Sequence, residues 1–149
     1  MNTAAQTAGP SSRRSASDEV WVVLRTLLGQ QRRRFLIASS ELDLHPAQAG
    51  ALLQMEPDTP RPMHELAALL ACDNSNVTGL IDRLEARGLV ARRAYAQDRR
   101  VKHVVLTRLG TEVRERLAEQ MGRPPAGLER ISVTEQRRLR DLLRRVVGD

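Results

Sequence analysis

The residues with the most binding chemistry in this chain fall close together. Asn74, Ser75, Asn76, Thr78 and Arg83 come first, and Arg99, Arg100 and Lys102 follow. Amides, hydroxyls and guanidinium groups in such a cluster are the groups that read base edges and phosphate oxygens in a DNA groove. Gly79 stands among them and would let a helix approach closely, having no side chain. Catalytic signatures are missing. The chain has no glycine-rich phosphate loop, no Gly-x-Ser-x-Gly elbow and no metal-ligand pair at helical spacing, so no enzyme is expected.

Charge supports the same reading by where it sits. The net charge is +6, with 23 Arg and one Lys, Lys102. Residues 1–17 carry +2, residues 18–72 carry −2, residues 73–108 carry +4 and residues 109–149 carry +2. The densest positive stretch is therefore the one that holds the cluster. A basic stretch is an electrostatic footprint for polyanions.

The elements that must position these residues follow from periodicity. Asp18 and Glu19 open a helix, and Val20, Val23, Leu24, Leu27 and Leu28 recur at helical spacing toward Ser39. Pro46 suits the first turn of a second helix. Residues 56–62, with three prolines, form a turn. Met63 to Ala71 is a short helix with Leu66, Ala67, Leu69 and Leu70 inward. Asp73 or Asn74 caps the next helix, whose buried stripe is Val77, Leu80, Ile81 and Leu84. Gly88 ends it, in the left-handed conformation. The opposite face of that helix is polar: Ser75, Asn76, Thr78, Gly79, Asp82 and Arg83.

Residues 89–93 and 101–106 then read as two strands of a hairpin with a basic tip. Thr107 caps a further helix with Leu109, Val113, Leu117 and Met121. Ser132 or Thr134 caps the last, with a stripe of Leu139, Leu142, Leu143, Val146 and Val147. The expected fold is mainly α with a small β-wing: a winged helix-turn-helix flanked by long helices. A tight turn between two helices lets the second enter a major groove, while wing arginines reach a neighbouring minor groove.

Residues 44–110 resemble the MarR family of bacterial transcriptional regulators. The resemblance rests on Asp82-Arg83-Leu84-Glu85, then Gly88-Leu89-Val90, then Asp98-Arg99-Arg100, then Leu106-Thr107 and Gly110. It implies a recognition helix over residues 74–87, with Asn74, Ser75, Asn76, Thr78, Gly79 and Arg83 at the major groove and its phosphates. It implies a wing in which Arg100, with Arg99 as rival and Lys102 beside them, meets DNA. Asp82 would pair with the wing-tip arginine, and Asp98 would shape the wing turn. The family's first helix and last two helices intertwine with a second subunit. The implied organisation is a disordered tail over 1–17, a dimerisation helix over 18–44, the DNA-binding domain over 45–108 and dimerisation helices over 109–149. The implied partners are a pseudo-palindromic DNA operator, a second copy of the chain and a small anionic aromatic effector. For the effector, Trp21, Arg25 and Met55 are named by position alone. The wing departs from the family in Ala94-Tyr95-Ala96-Gln97, where proline and acidic residues are usual. At the cap before the second helix His45 replaces the usual Thr or Ser, which weakens that cap.

Other features have plainer readings. Cys72, the only cysteine, falls in the turn and is expected to pack; the rival is a redox-responsive regulator using Cys72. The scattered His45, His64 and His103 predict no metal site, and no cofactor is expected. No apolar run reaches membrane-spanning length and no apolar leader opens the chain, so a cytoplasmic protein is expected. A winged helix that binds protein instead of DNA would show an apolar recognition face, and this one is polar.

Overall fold

The computed structural model describes residues 15–70, 73–94 and 102–148; of Asn74 and Ser75 it describes the backbone alone. Six α-helices and three strands follow one another among the described residues. They are α1 (Ala16–Glu41), α2 (Pro46–Gln54), β1 (Arg61–Pro62), α3 (Met63–Leu69), α4 (Asn74–Ala86), β2 (Val90–Ala94), β3 (Lys102–Leu106), α5 (Arg108–Gly122) and α6 (Val133–Val147). A short 3-10 turn, Ala126–Arg130, precedes α6. The chain divides into two units, one ending at Arg34 and one beginning at Phe35.

Within the first unit, the described residues are the front of α1. The helix starts at Ala16, ahead of the expected Asp18, because Ser15 and Asp18 cap each other: the Ser15 N–H donates to Asp18 Oδ2 at 3.0 Å. Val20, Val23, Leu27 and Leu28 keep their helical spacing, yet all are exposed in the chain.

The second unit is built on one apolar core. Leu52 and Met55 from the α2 end, Leu66 from α3, Val77, Ile81 and Leu84 from α4, Val90 and Val104 from the sheet, and Leu117 from α5 are its largest fully buried side chains. The α4 stripe is thus buried as its periodicity predicts. Leu69, expected inward on α3, is exposed instead. Leu109 is exposed too, while Gly110 beside it is buried.

The sheet has the order β1-β3-β2, all antiparallel. β1 is a strand the periodicity did not announce. It is two residues long and pairs Arg61 with Val104 and Pro62 with His103. Proline is tolerated there because the strand lies at the sheet edge. β2 and β3 pair from Val90↔Leu106 to Ala94↔Lys102.

Two junctions fix this sheet to its helices. Gly88 takes φ +69°, which glycine adopts without strain, and the chain turns from α4 into β2 there. Across the sheet, Thr107 caps α5, its hydroxyl accepting from the Gly110 N–H at 3.0 Å and donating to the Gly88 carbonyl at 2.6 Å. At the far end, Ser132 and Glu135 form a reciprocal capping box for α6. The α6 stripe is exposed at Leu139, Leu142, Val146 and Val147, with Leu143 half-buried.

Candidate nucleic-acid interface

α4 carries the candidate recognition face. Asn76, Thr78, Asp82 and Arg83 are exposed, and Gly79 is half-buried, on the helix whose other side is the core stripe. Nothing crowds Gly79: a Cβ there would meet only Arg83 Nη1, at 4.0 Å. The Arg83 guanidinium therefore reaches back along the helix toward Gly79, and Arg83 has no ion-pair partner among the described residues. Asp73 holds the N-cap position, as expected, but its side chain makes no capping hydrogen bond. The cap is held by backbone alone, with Val77 N–H donating to the Asp73 carbonyl at 3.0 Å.

The two acids of α4, Asp82 and Glu85, are engaged. Arg92, from β2, sends Nη2 to Asp82 Oδ1 at 2.6 Å and Nη1 to Glu85 Oε2 at 2.5 Å. Its backbone N–H also donates to Glu85 Oε1 at 3.0 Å. The hydrogen bond that the Arg92 guanidinium donates to Asp82 raises it above its already high ordinary pKa; burial opposes this and Glu85 adds to it. The described partner of Asp82 is thus Arg92, while the wing-tip arginine that the resemblance implied as its partner lies outside the described residues. Sequence reading passed over Arg92; its signal was a pair of acids at i and i+3 on α4 ahead of a basic strand.

Arg87, the C-cap residue of α4, turns the other way. It donates through Nη1 to the Asp43 carbonyl and through Nη2 to the Leu42 carbonyl at 3.3 Å. It also stands 3.6 Å from the Asp43 carboxylate. Asp43 has φ +52°, at the corner after α1.

The remaining predicted residues fall as follows. Lys102 opens β3 and is exposed. Asp98, Arg99, Arg100 and Cys72 lie outside the described residues. Trp21 and Arg25 are exposed on the front of α1. Met55 is 1% exposed and so has almost no surface to offer a ligand; its carbonyl accepts from Arg114 Nε at 2.6 Å. His45 caps α2 well, correcting the expectation of a weak cap: Nδ1 accepts from the Ala47 N–H at 3.3 Å and Gln48 Oε1 from the His45 N–H at 2.9 Å. Among the described residues no group of three His, Cys, Asp or Glu could hold a metal ion, and no helix is long and apolar enough to cross a membrane.

Known proteins share this arrangement. Residues 51–102, from the body of α2 to the start of β3, match the MarR family model. A MarR family protein from Bacillus stearothermophilus superposes with a TM-score of 0.75 at 26% identity, over 91% of its length and 87% of this chain. A transcriptional regulator of Thermotoga maritima does so with a TM-score of 0.65 at 28% identity, over 92% of its length and 87% of this chain. A mutant of S. aureus MepR bound to an oligodeoxyribonucleotide has a TM-score of 0.66 at 20% identity, over 98% of its length and 91% of this chain. No curated protein matches the chain in sequence. Residues 51–102 therefore form a MarR-family domain, and the chain that carries it has the winged helix-turn-helix fold of that family's transcriptional regulators.

Proposed function

We propose that this chain is a sequence-specific DNA-binding transcriptional regulator that works as a homodimer. The observation that carries the reading is the face of α4: exposed Asn76, Thr78 and Arg83 around an uncrowded Gly79, over a fully buried apolar stripe. That face enters the major groove, with Asn74 and Ser75 at the helix start beside the phosphates. Arg99, Arg100 and Lys102 serve the minor groove and its backbone. The MepR complex with an oligodeoxyribonucleotide supports DNA as partner for this fold.

The exposed apolar stripes of α1 and α6 support self-association, since exposed apolar rows of this size mark interaction surfaces. A two-fold dimer reads a pseudo-palindrome with half-sites about 10 bp apart. The regulator acts as a repressor, and a small anionic aromatic effector releases it by favouring a dimer whose recognition helices no longer match the groove spacing. By linkage, DNA weakens effector binding by the same factor.

The test is to incubate purified protein with fragments of its own genome at physiological salt, where specific and non-specific binding separate. Arg83→Ala and Arg100→Ala run beside the wild type. An enriched pseudo-palindrome that both variants lose is the expected result. Retention of no fragment above bulk DNA overturns the reading.

A further inference from the structure

α4 places two carboxylates next to the face that the proposed function turns toward DNA. Asp82 precedes Arg83 in the chain, and its side chain is 56% exposed. Glu85, one turn on, is 37% exposed. Facing a phosphate backbone, two free acids would oppose binding over a Debye length of about 10 Å at moderate salt. Neither is free. One guanidinium, Arg92, holds both, and its own side chain is only 19% exposed.

We infer that Arg92 is a positioning residue for the DNA-reading face: its fork across Asp82 and Glu85 locks α4 to β2 and withdraws both acids from the phosphate field. The inference rests on the proposed function for the identity of the polyanion. The geometry supplies the rest. Arginine offers five N–H donors in a rigid plane, so one side chain reaches two carboxylates through Nη2 and Nη1 at 2.6 and 2.5 Å. The backbone N–H of the same residue anchors Glu85 at 3.0 Å, so strand and helix are joined by main chain as well as side chain. Arg87 is drawn away to the corner after α1. Arg83 is then the helix's cation without an ion-pair partner among the described residues, and the net sign of the face depends on Arg92. β2 also pairs with β3, so the clamp sets the hairpin strands and the helix in one register.

The experiment measures affinity for the retained operator fragment and for random duplex, across a salt series, with thermal unfolding of each protein alongside. Arg92→Gln exposes both acids. It weakens binding to both duplexes by about 10- to 100-fold at low salt, and the deficit narrows as salt rises. The triple variant Asp82→Asn, Glu85→Gln, Arg92→Gln removes the acids together with their partner and recovers most of the lost affinity. Arg92→Lys keeps the charge without the fork and falls between; it carries the comparison if Arg92→Gln does not fold. An Arg92→Gln deficit that is the same at every salt and is not recovered by the triple variant overturns the inference, as does no deficit. A wild type that binds no duplex overturns the proposed function along with it, whereas the former results overturn this inference alone.

Discussion

Gly110 and the Leu89 carbonyl are packed so closely that a Cβ on Gly110 would stand 1.8 Å from that oxygen. The Leu89 carbonyl also accepts from the Thr107 N–H at 3.0 Å, so the start of α5 is seated on the turn that leads into β2. Backbone cannot yield as a flexible side chain does. Gly110→Ala is expected to cost about 3 kcal/mol, the upper range for overpacking, read as a lowered urea midpoint. An unchanged midpoint would mean that helix and turn can part without penalty.

Gly79 is the opposite case. Its Cβ position is open, so Gly79→Ala should stabilise the helix by about 0.5–1 kcal/mol through backbone entropy. The same methyl group stands on the face proposed to meet DNA. Operator affinity should fall about tenfold, roughly 1.4 kcal/mol. Higher stability with undiminished affinity would remove Gly79 from the interface.

His45 is an uncommon helix cap that works through its ring nitrogen. His45→Ala should lower stability by about 1 kcal/mol, and His45→Ser should restore it, both by chemical denaturation. A serine variant no better than alanine would show that the ring's packing, not its acceptor, matters at that corner.

The α6 cap carries a pH dependence. Hydrogen bonds from the Ser132 hydroxyl at 2.7 Å and the Ser132 N–H at 2.8 Å hold the Glu135 carboxyl below the usual glutamate range. A lowered carboxyl stabilises the fold above its unfolded value, and the effect disappears as pH falls through the folded value. Amide protection in the first turn of α6, taken relative to the intrinsic exchange rate at each pH, should therefore fall on acidification below the usual glutamate range. Glu135→Gln should flatten that dependence; an identical profile in the variant would assign it to another group.

Leu142 and Val146 are exposed on the α6 stripe in the single chain. In the proposed homodimer, glutamate at both positions should shift sedimentation to the monomer and reduce operator affinity with it. Far-UV circular dichroism should stay unchanged, since glutamate suits an exposed helix. A dimer that survives both substitutions would place the interface elsewhere.

Periodicity and cap residues made α4, α5, α6 and the hairpin legible, because buried stripes and side-chain caps are local signals. Val77, Leu80, Ile81 and Leu84 are buried as read, and Ser132 and Thr107 cap where expected. β1 was not legible. Two residues, one of them proline, carry no strand pattern, and the pairing with His103 and Val104 is a long-range event. Leu69 and Leu109 show the limit of apolar spacing, which marks a face but not what covers it. The Arg92 fork was half legible: two acids one turn apart ask for a cation, but which arginine answers depends on how strand and helix meet.

The bonds from Arg87 to the carbonyls of Leu42 and Asp43 have a genetic consequence. Both acceptors are main-chain atoms, present whatever residue occupies those positions. Substitutions at 42 that keep the corner's shape can accumulate without cutting this tie between the corner after α1 and the end of α4. The donor has no such cover. A screen for variants uncoupled at this corner should recover changes at position 87 far more often than at position 42.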